Sequence, residues 1–109
     1  MVEYALNFDT VFKSLGDPTR RDILQRLTRG ELTVGAIAER YTMSLAAISK
    51  HLSILQRAKL VTKRRQGNEQ VVTINATTLA TTTEYLRNYQ VYWEETLASL
   101  DRYLEQENV

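Results

Sequence analysis

The stretch Met43–Ala58, "MSLAAISKHLSILQRA", contains no acidic residue and holds the only histidine of the chain, His51. Its apolar residues recur every three or four positions, which predicts an amphipathic helix. With Leu52 at the centre of the buried face, Leu45, Ile48 and Leu55 gather around it as one stripe. The opposite face carries Ala46, Ala47, Lys50, Ser53 and Arg57, with Ile54 among them. Ser44 and His51 flank the stripe on one side, Ser49 and Gln56 on the other. This outer face is small near its N-terminus and cationic further along, a shape and charge suited to the DNA major groove, about 12 Å wide. Alanine can touch a thymine methyl, serine can bond to bases or phosphates, and Lys50 and Arg57 can neutralise phosphates. Taken alone, the helix is read equally well as an ordinary solvated face. The flanking sequence has to decide.

Upstream, "GDPTRRDILQRLTRG" opens with Asp17 as N-cap and Pro18 at the favoured first helical position, and Gly30 stops the helix. Ile23, Leu24 and Leu27 face its core. A shorter helix follows, with Thr33 as N-cap, "VGAIAERY" as its body and Val34, Ile37 and Ala38 buried. "YTMS" then makes a tight connection to the opening helix, which Ser44 caps. Two helices joined by about four residues outline a helix-turn-helix over 33–58. Before both, Tyr4, Ala5, Phe8, Val11, Phe12 and Leu15 give a first helix ending at Gly16.

Downstream the period changes. "LVTKRRQGNEQVVTIN" is rich in β-branched residues around a "QGNE" turn, so Leu60 to Arg65 should pair with Gln70 to Asn75 as a hairpin. Such a ribbon needs the helices for stability, and a wing at 60–75 following three helices makes a winged helix-turn-helix. It also brings Lys63, Arg64 and Arg65. From Tyr41 to Asn68 the charged residues are Lys50, Arg57, Lys59, Lys63, Arg64 and Arg65, a block of +6 within a chain of net charge +1. Helix and ribbon thus present the same sign to one polyanion.

The remainder is helical. Thr81 with Glu84 fits a capping box, which predicts a long helix over 81–107. Leu86, Trp93 and Leu100 are seven apart, Leu97 and Leu104 follow the same period, and Tyr85, Tyr89 and Tyr92 lie beside them. A small domain cannot bury both sides of such a helix, so a partner subunit is the expected cover, with the first helix (Tyr4, Phe8, Phe12) packing across the two-fold axis. Burial within one chain is the alternative. The tyrosines could also line a cleft for a small-molecule effector, although core packing is the commoner reason for such stripes.

The 109 residues suit one domain, 1–109, of mainly α class with a small β-hairpin (α+β). There is no run of about 18 apolar residues, and "MVEYALNFDT" lacks the basic start and apolar run of a signal peptide, so a cytoplasmic protein is expected. Without cysteine, and with one histidine, disulfides and thiolate metal sites are excluded and a zinc site would rest on carboxylates. No nucleophile elbow or glycine-rich phosphate loop is present. An enzyme is the weakest reading.

Three stretches carry a resemblance. "FKSLGDPTRRDILQRL", "GELTVGAIAERYTMSLAAISKHLSILQRAKLV" and "RRQGNEQVVTIN" resemble the ArsR/SmtB family of winged-helix repressors, over nearly the whole chain from Phe12 onward. The resemblance implies a homodimeric transcriptional regulator on double-stranded DNA with an inverted-repeat operator, and assigns Ser44, Ser49, Lys50 and His51 to DNA. For His51 a packing or capping role competes. Family metal sites use a cysteine pair in the third helix, or aspartate and histidine in the last. Here Thr33 and Gly35 stand in place of cysteines, and the last helix has carboxylates but no histidine, which implies the metal-independent branch and no cofactor. Two departures stand out: Leu45 replaces a common glutamine, and Lys59 replaces the glycine that ends the recognition helix. Positive φ at a lysine costs roughly 1 kcal/mol, so a different helix ending is expected. The competing function is a winged-helix module that docks an acidic protein partner.

Overall fold

The computed structural model describes residues 6–107. Tyr4 and Ala5, expected at the start of the first helix, lie outside them. The elements run α1 (Phe8–Ser14), α2 (Pro18–Leu27), β1 (Leu32–Thr33), α3 (Val34–Ala38), α4 (Leu45–Arg57), β2 (Val61–Gln66), β3 (Glu69–Ile74) and α5 (Ala76–Glu107). The chain divides between Thr78 and Leu79 into two compact units.

Short polar side chains begin the helices of the first unit. Asn7 accepts from the Thr10 amide, Asp17 from Arg20, Thr33 from Ala36 and Ser44 from Ala47, each at 3.0–3.2 Å. Each bond satisfies an amide that lacks a partner within its helix. Burial then selects the faces. Val11 of α1, Ile23 and Leu27 of α2, Ile37 of α3, and Ile48, Leu52 and Leu55 of α4 meet Leu60, Val61 and Val72 in one core. Val34 and Ala38 are only half-buried, because α3 is too short to turn more than Ile37 fully inward.

The sheet has three antiparallel strands in the order β1-β3-β2, so the expected two-stranded hairpin is incomplete. Leu32 pairs with Val72 and Thr33 with Val71, which ties the entry of α3 to the ribbon. The ribbon is also tighter than expected. Gln66 pairs directly with Glu69, leaving a two-residue turn in place of "QGNE". Gly67 has φ 62 whereas Asn68 does not have positive φ, as a type II′ turn requires.

Two helix boundaries depart from the sequence reading. The long helix begins at Ala76, not Thr81, because Asn75 Oδ1 accepts from the amides of Thr77 and Thr78 as the chain leaves β3. At the end of α4, Lys59 does adopt positive φ, 64°. Its amide donates to Gln56 O at 2.9 Å and that of Leu60 to Leu55 O at 3.0 Å. This is a Schellman ending, with Leu60 and Leu55 both fully buried beneath it. The bonds and the apolar contact hold the lysine in a conformation that would suit glycine better.

In the second unit α5 carries a row of half-exposed apolar side chains, among them Leu86, Tyr89, Trp93, Leu97, Leu100 and Leu104. Tyr85 and Tyr89 meet edge to face, as do Tyr92 and Trp93. No helix among the described residues is long and apolar enough to cross a membrane.

Candidate nucleic-acid interface

The interface candidates fall on α4 and on the ribbon, both in the first unit. Ser44 ends the connection from α3, and its Oγ accepts the Ala47 amide at 3.1 Å, leaving its hydroxyl proton free to donate. Ala46, Lys50 and Arg57 are exposed, while Ala47, Ser49 and Ser53 are half-buried. Leu45 departs from the helical wheel: it lies on the same stripe as Ile48 and Leu52, yet is 61% exposed. As the first residue of α4 it overhangs the core that covers the rest of the stripe.

His51 is held from behind. Arg20, on α2, donates through one guanidinium nitrogen to His51 Nδ1 at 3.2 Å and through Nε to Ser14 O at 2.6 Å. A guanidinium only donates, so Nδ1 must accept and the ring proton sits on Nε2. A second guanidinium nitrogen of Arg20 reaches Lys13 O at 3.4 Å. One side chain therefore ties the end of α1 and the start of α2 to the middle of α4. Asp17, whose Oδ2 lies 3.9 Å from His51 Nδ1, caps α2; the Arg20 amide holds its carboxyl below the usual carboxylate range, helped by the nearby charge of Arg20.

The helix pair is braced at its other end by Arg26. It donates to Ile37 O and Ala36 O at 3.0 and 3.1 Å, satisfying carbonyls at the end of α3, and stacks over the Tyr41 ring at 5.5 Å. The Tyr41 hydroxyl donates to Asp22 at 2.5 Å. Burial, then this acceptor, raise the Tyr41 phenol above its usual value. These braces fix α3, and with it the approach to α4.

Strand register divides the three basic residues of the wing. Lys63 is paired with Val72 and Arg65 with Gln70, so they share one face of the ribbon; Arg64, opposite Val71, lies on the other. Lys63 lines a cleft of about 450 Å³ with Leu45 and Ser49 of α4, Val34 and Gly35 of α3, and Asn68, Glu69 and Gln70 of the ribbon. Arg64 turns away and binds Glu31 at 2.6 Å and Thr73 Oγ1 at 3.2 Å. Arg65 Nε donates to Gly67 O at 3.3 Å, at the ribbon tip.

Sequence reading overlooked one grouping. Lys13, Arg20 and Arg57, from three helices, line a shallow cleft of about 280 Å³ with Thr10, Ser14 and Ile54. Lys13 and Arg57 are 44 positions apart in the sequence, and no local pattern links them. Ile54 is half-buried and forms part of the wall of this cleft. Of the residues expected at a subunit contact, Phe8 and Phe12 stack with ring centroids 6.3 Å apart and Phe12 is 37% exposed.

A helix pair whose second member carries an acid-free outer face, followed by a two-stranded ribbon that pairs with the strand before the pair, defines a winged helix-turn-helix DNA-binding domain. The helix-turn-helix domain family matches residues 15–64. The transcriptional repressor SdpR of Bacillus subtilis is 38% identical over 81 residues, covering 74% of this chain and 90% of that protein. The transcriptional activator HlyU of Vibrio cholerae is 32% identical over 76 residues, 70% of each chain. An ArsR-like transcriptional regulator from Rhodococcus sp. RHA1 superposes with a TM-score of 0.72 at 32% identity, covering 86% of this chain and 89% of that one. The chain belongs to the ArsR family of winged helix-turn-helix transcriptional regulators. It is a DNA-binding regulator and not an enzyme.

Proposed function

We propose that this regulator binds an inverted-repeat operator as a homodimer and acts as a repressor without a metal cofactor. Each α4 enters a major groove, the two grooves lying about one helical turn (~34 Å) apart. Ala46, Ala47, Lys50 and Ser53 face the base edges. Ser44, Ser49, Arg57, Lys63 and Arg65 hold phosphates, and the Nε2 proton of His51 is aimed at the same backbone. Arg64 serves the ribbon itself through Glu31. The observation that carries this reading is the run from Tyr41 to Asn68, whose six charges are all positive and which folds into adjacent helix and wing.

Pairing through α5 is supported by its half-exposed apolar row, far more than a solvated helix needs. Independence from metal is supported by the composition, which offers no thiolate and one imidazole, and by the engagement of that imidazole's Nδ1 with Arg20. SdpR is named a repressor, and this supports the same sense of regulation here.

The test is a salt-titrated gel shift of the purified protein on its own promoter and on random duplex, with and without zinc. Specific binding at least about a thousandfold tighter than random, with a steep salt dependence unaffected by zinc, is expected. Equal binding to both duplexes would overturn the proposal. Shallow salt dependence together with capture of an acidic protein would favour a protein-docking module instead.

A further inference from the structure

Leu45 has no packing role that accounts for it. The other members of its stripe, Ile48, Leu52 and Leu55, are fully buried, whereas Leu45 is 61% exposed. Its surroundings are polar and carry charge of both signs. Ser44 precedes it, Ser49 lies one turn on, and Lys63, Asn68, Glu69 and Gln70 of the wing line the same cleft. An apolar protein surface would have to desolvate Lys63 and Glu69 to reach Leu45. A nucleic-acid groove is hydrated and keeps Glu69 in water, while the phosphates beside it answer Lys63. The apolar group that a major groove displays at its edge is the C5-methyl of thymine. Helical side chains lean toward the N-terminus of their helix, and the N-terminal residues of a recognition helix are the ones that meet base edges. Ala46 and Ala47, the next two residues, leave the backbone free to approach closely.

We propose that Leu45 reads a thymine methyl in each half-site and so sets the sequence preference of this regulator at that position. This rests on α4 being the groove helix. Where a polar side chain would match hydrogen-bonding atoms, Leu45 selects by apolar contact, and its discrimination is correspondingly modest. Replacing thymine by uracil deletes the methyl and leaves base pairing intact, so loss of one buried methyl should weaken binding about fourfold.

The experiment replaces each thymine of the bound promoter duplex by uracil, one at a time, and measures affinity for the parent protein, Leu45→Ala and Leu45→Met. At one symmetry-related position the parent should lose about fourfold. Leu45→Ala should bind the unmodified duplex more weakly and be indifferent to uracil there, while Leu45→Met keeps the sensitivity. Circular dichroism should be unchanged, since the side chain is exposed. Specific binding by the parent with no uracil-sensitive position, or equal sensitivity in Leu45→Ala, would overturn this inference alone; the second result would point to Ala46 or Ala47. Absence of any specific binding would overturn the groove assignment of α4 along with it.

Discussion

Arg20 and His51, 31 positions apart in sequence, meet at 3.2 Å, the guanidinium donating to Nδ1. The same guanidinium group bonds the carbonyls of Ser14 and Lys13, so the orientation of the recognition helix is coupled to the junction of the first two helices. Removing Arg20 leaves a buried carbonyl and an imidazole nitrogen without their donor. Arg20→Ala should cost about 2 kcal/mol of stability in urea unfolding. Arg20→Lys should recover little of it, since a single ammonium cannot match the planar fork.

Asp17 makes a prediction for acid. Its carboxyl is held below the ordinary carboxylate value, chiefly by the Arg20 amide. The folded state therefore binds this proton less readily than the unfolded state. The contribution is fully present above the unfolded value near 3.8 and is lost as pH falls through the lower folded value. Asp17→Asn keeps a capping oxygen and should flatten stability between pH 5 and 2 relative to the parent, measured by thermal melts across that range. Asp17→Ala should lose about 1 kcal/mol at neutral pH as well.

Lys59 is a lysine in a conformation that favours glycine. Lys59→Gly relieves the clash of Cβ with the backbone, and the greater freedom of glycine in the unfolded chain offsets part of the gain. Stabilisation of about 0.5–1 kcal/mol in urea is expected. Lys59→Val should destabilise, because branching at Cβ tolerates positive φ worse still.

The basic residues should separate by their partners in the free protein. Lys50→Ala should lower operator affinity by about 1–3 kcal/mol if it meets a base, or reduce the salt slope by about one if it meets a phosphate. Lys63→Ala and Arg57→Ala should each reduce the slope by about one. Arg64→Ala, which removes a charge already answered by Glu31, should leave the slope nearly unchanged. Gel shifts over a series of salt concentrations distinguish these outcomes.

Pairing of subunits can be broken from α5. Trp93→Glu combined with Leu100→Glu should yield a monomer in sedimentation analysis. Operator affinity should then drop by at least about a hundredfold, since two half-sites are no longer engaged together. The helical signal of the first unit should persist.

Much of this architecture could be read from residue types alone. Asp17, Thr33 and Ser44 stand immediately before apolar periods, and each turned out to be the cap it resembled. The alternation of β-branched residues marked the wing. Other features depended on distant parts of the chain. A two-residue strand such as Leu32–Thr33 has no period to detect, and only its pairing with Val71 and Val72 defines it. Thr81 and Glu84 made a locally convincing helix start, but Asn75 had already capped the chain as it left β3. A helical wheel fixes the direction of Leu45 without revealing that the core stops short of it. The union of Lys13 with Arg57, and the division of Lys63 from Arg64, likewise arise from packing and register.

Thr33 closes a strand and opens a helix at once, so residues on either side of it have no slack. One residue added between Glu31 and Val34 would shift the sheet register and rotate α3 together, moving the reading head off its target. The tip at Gly67–Asn68 has no such double duty. Length can vary there freely, and a longer arm grafted at that point should extend the protein's reach along the duplex while leaving its aim unaltered.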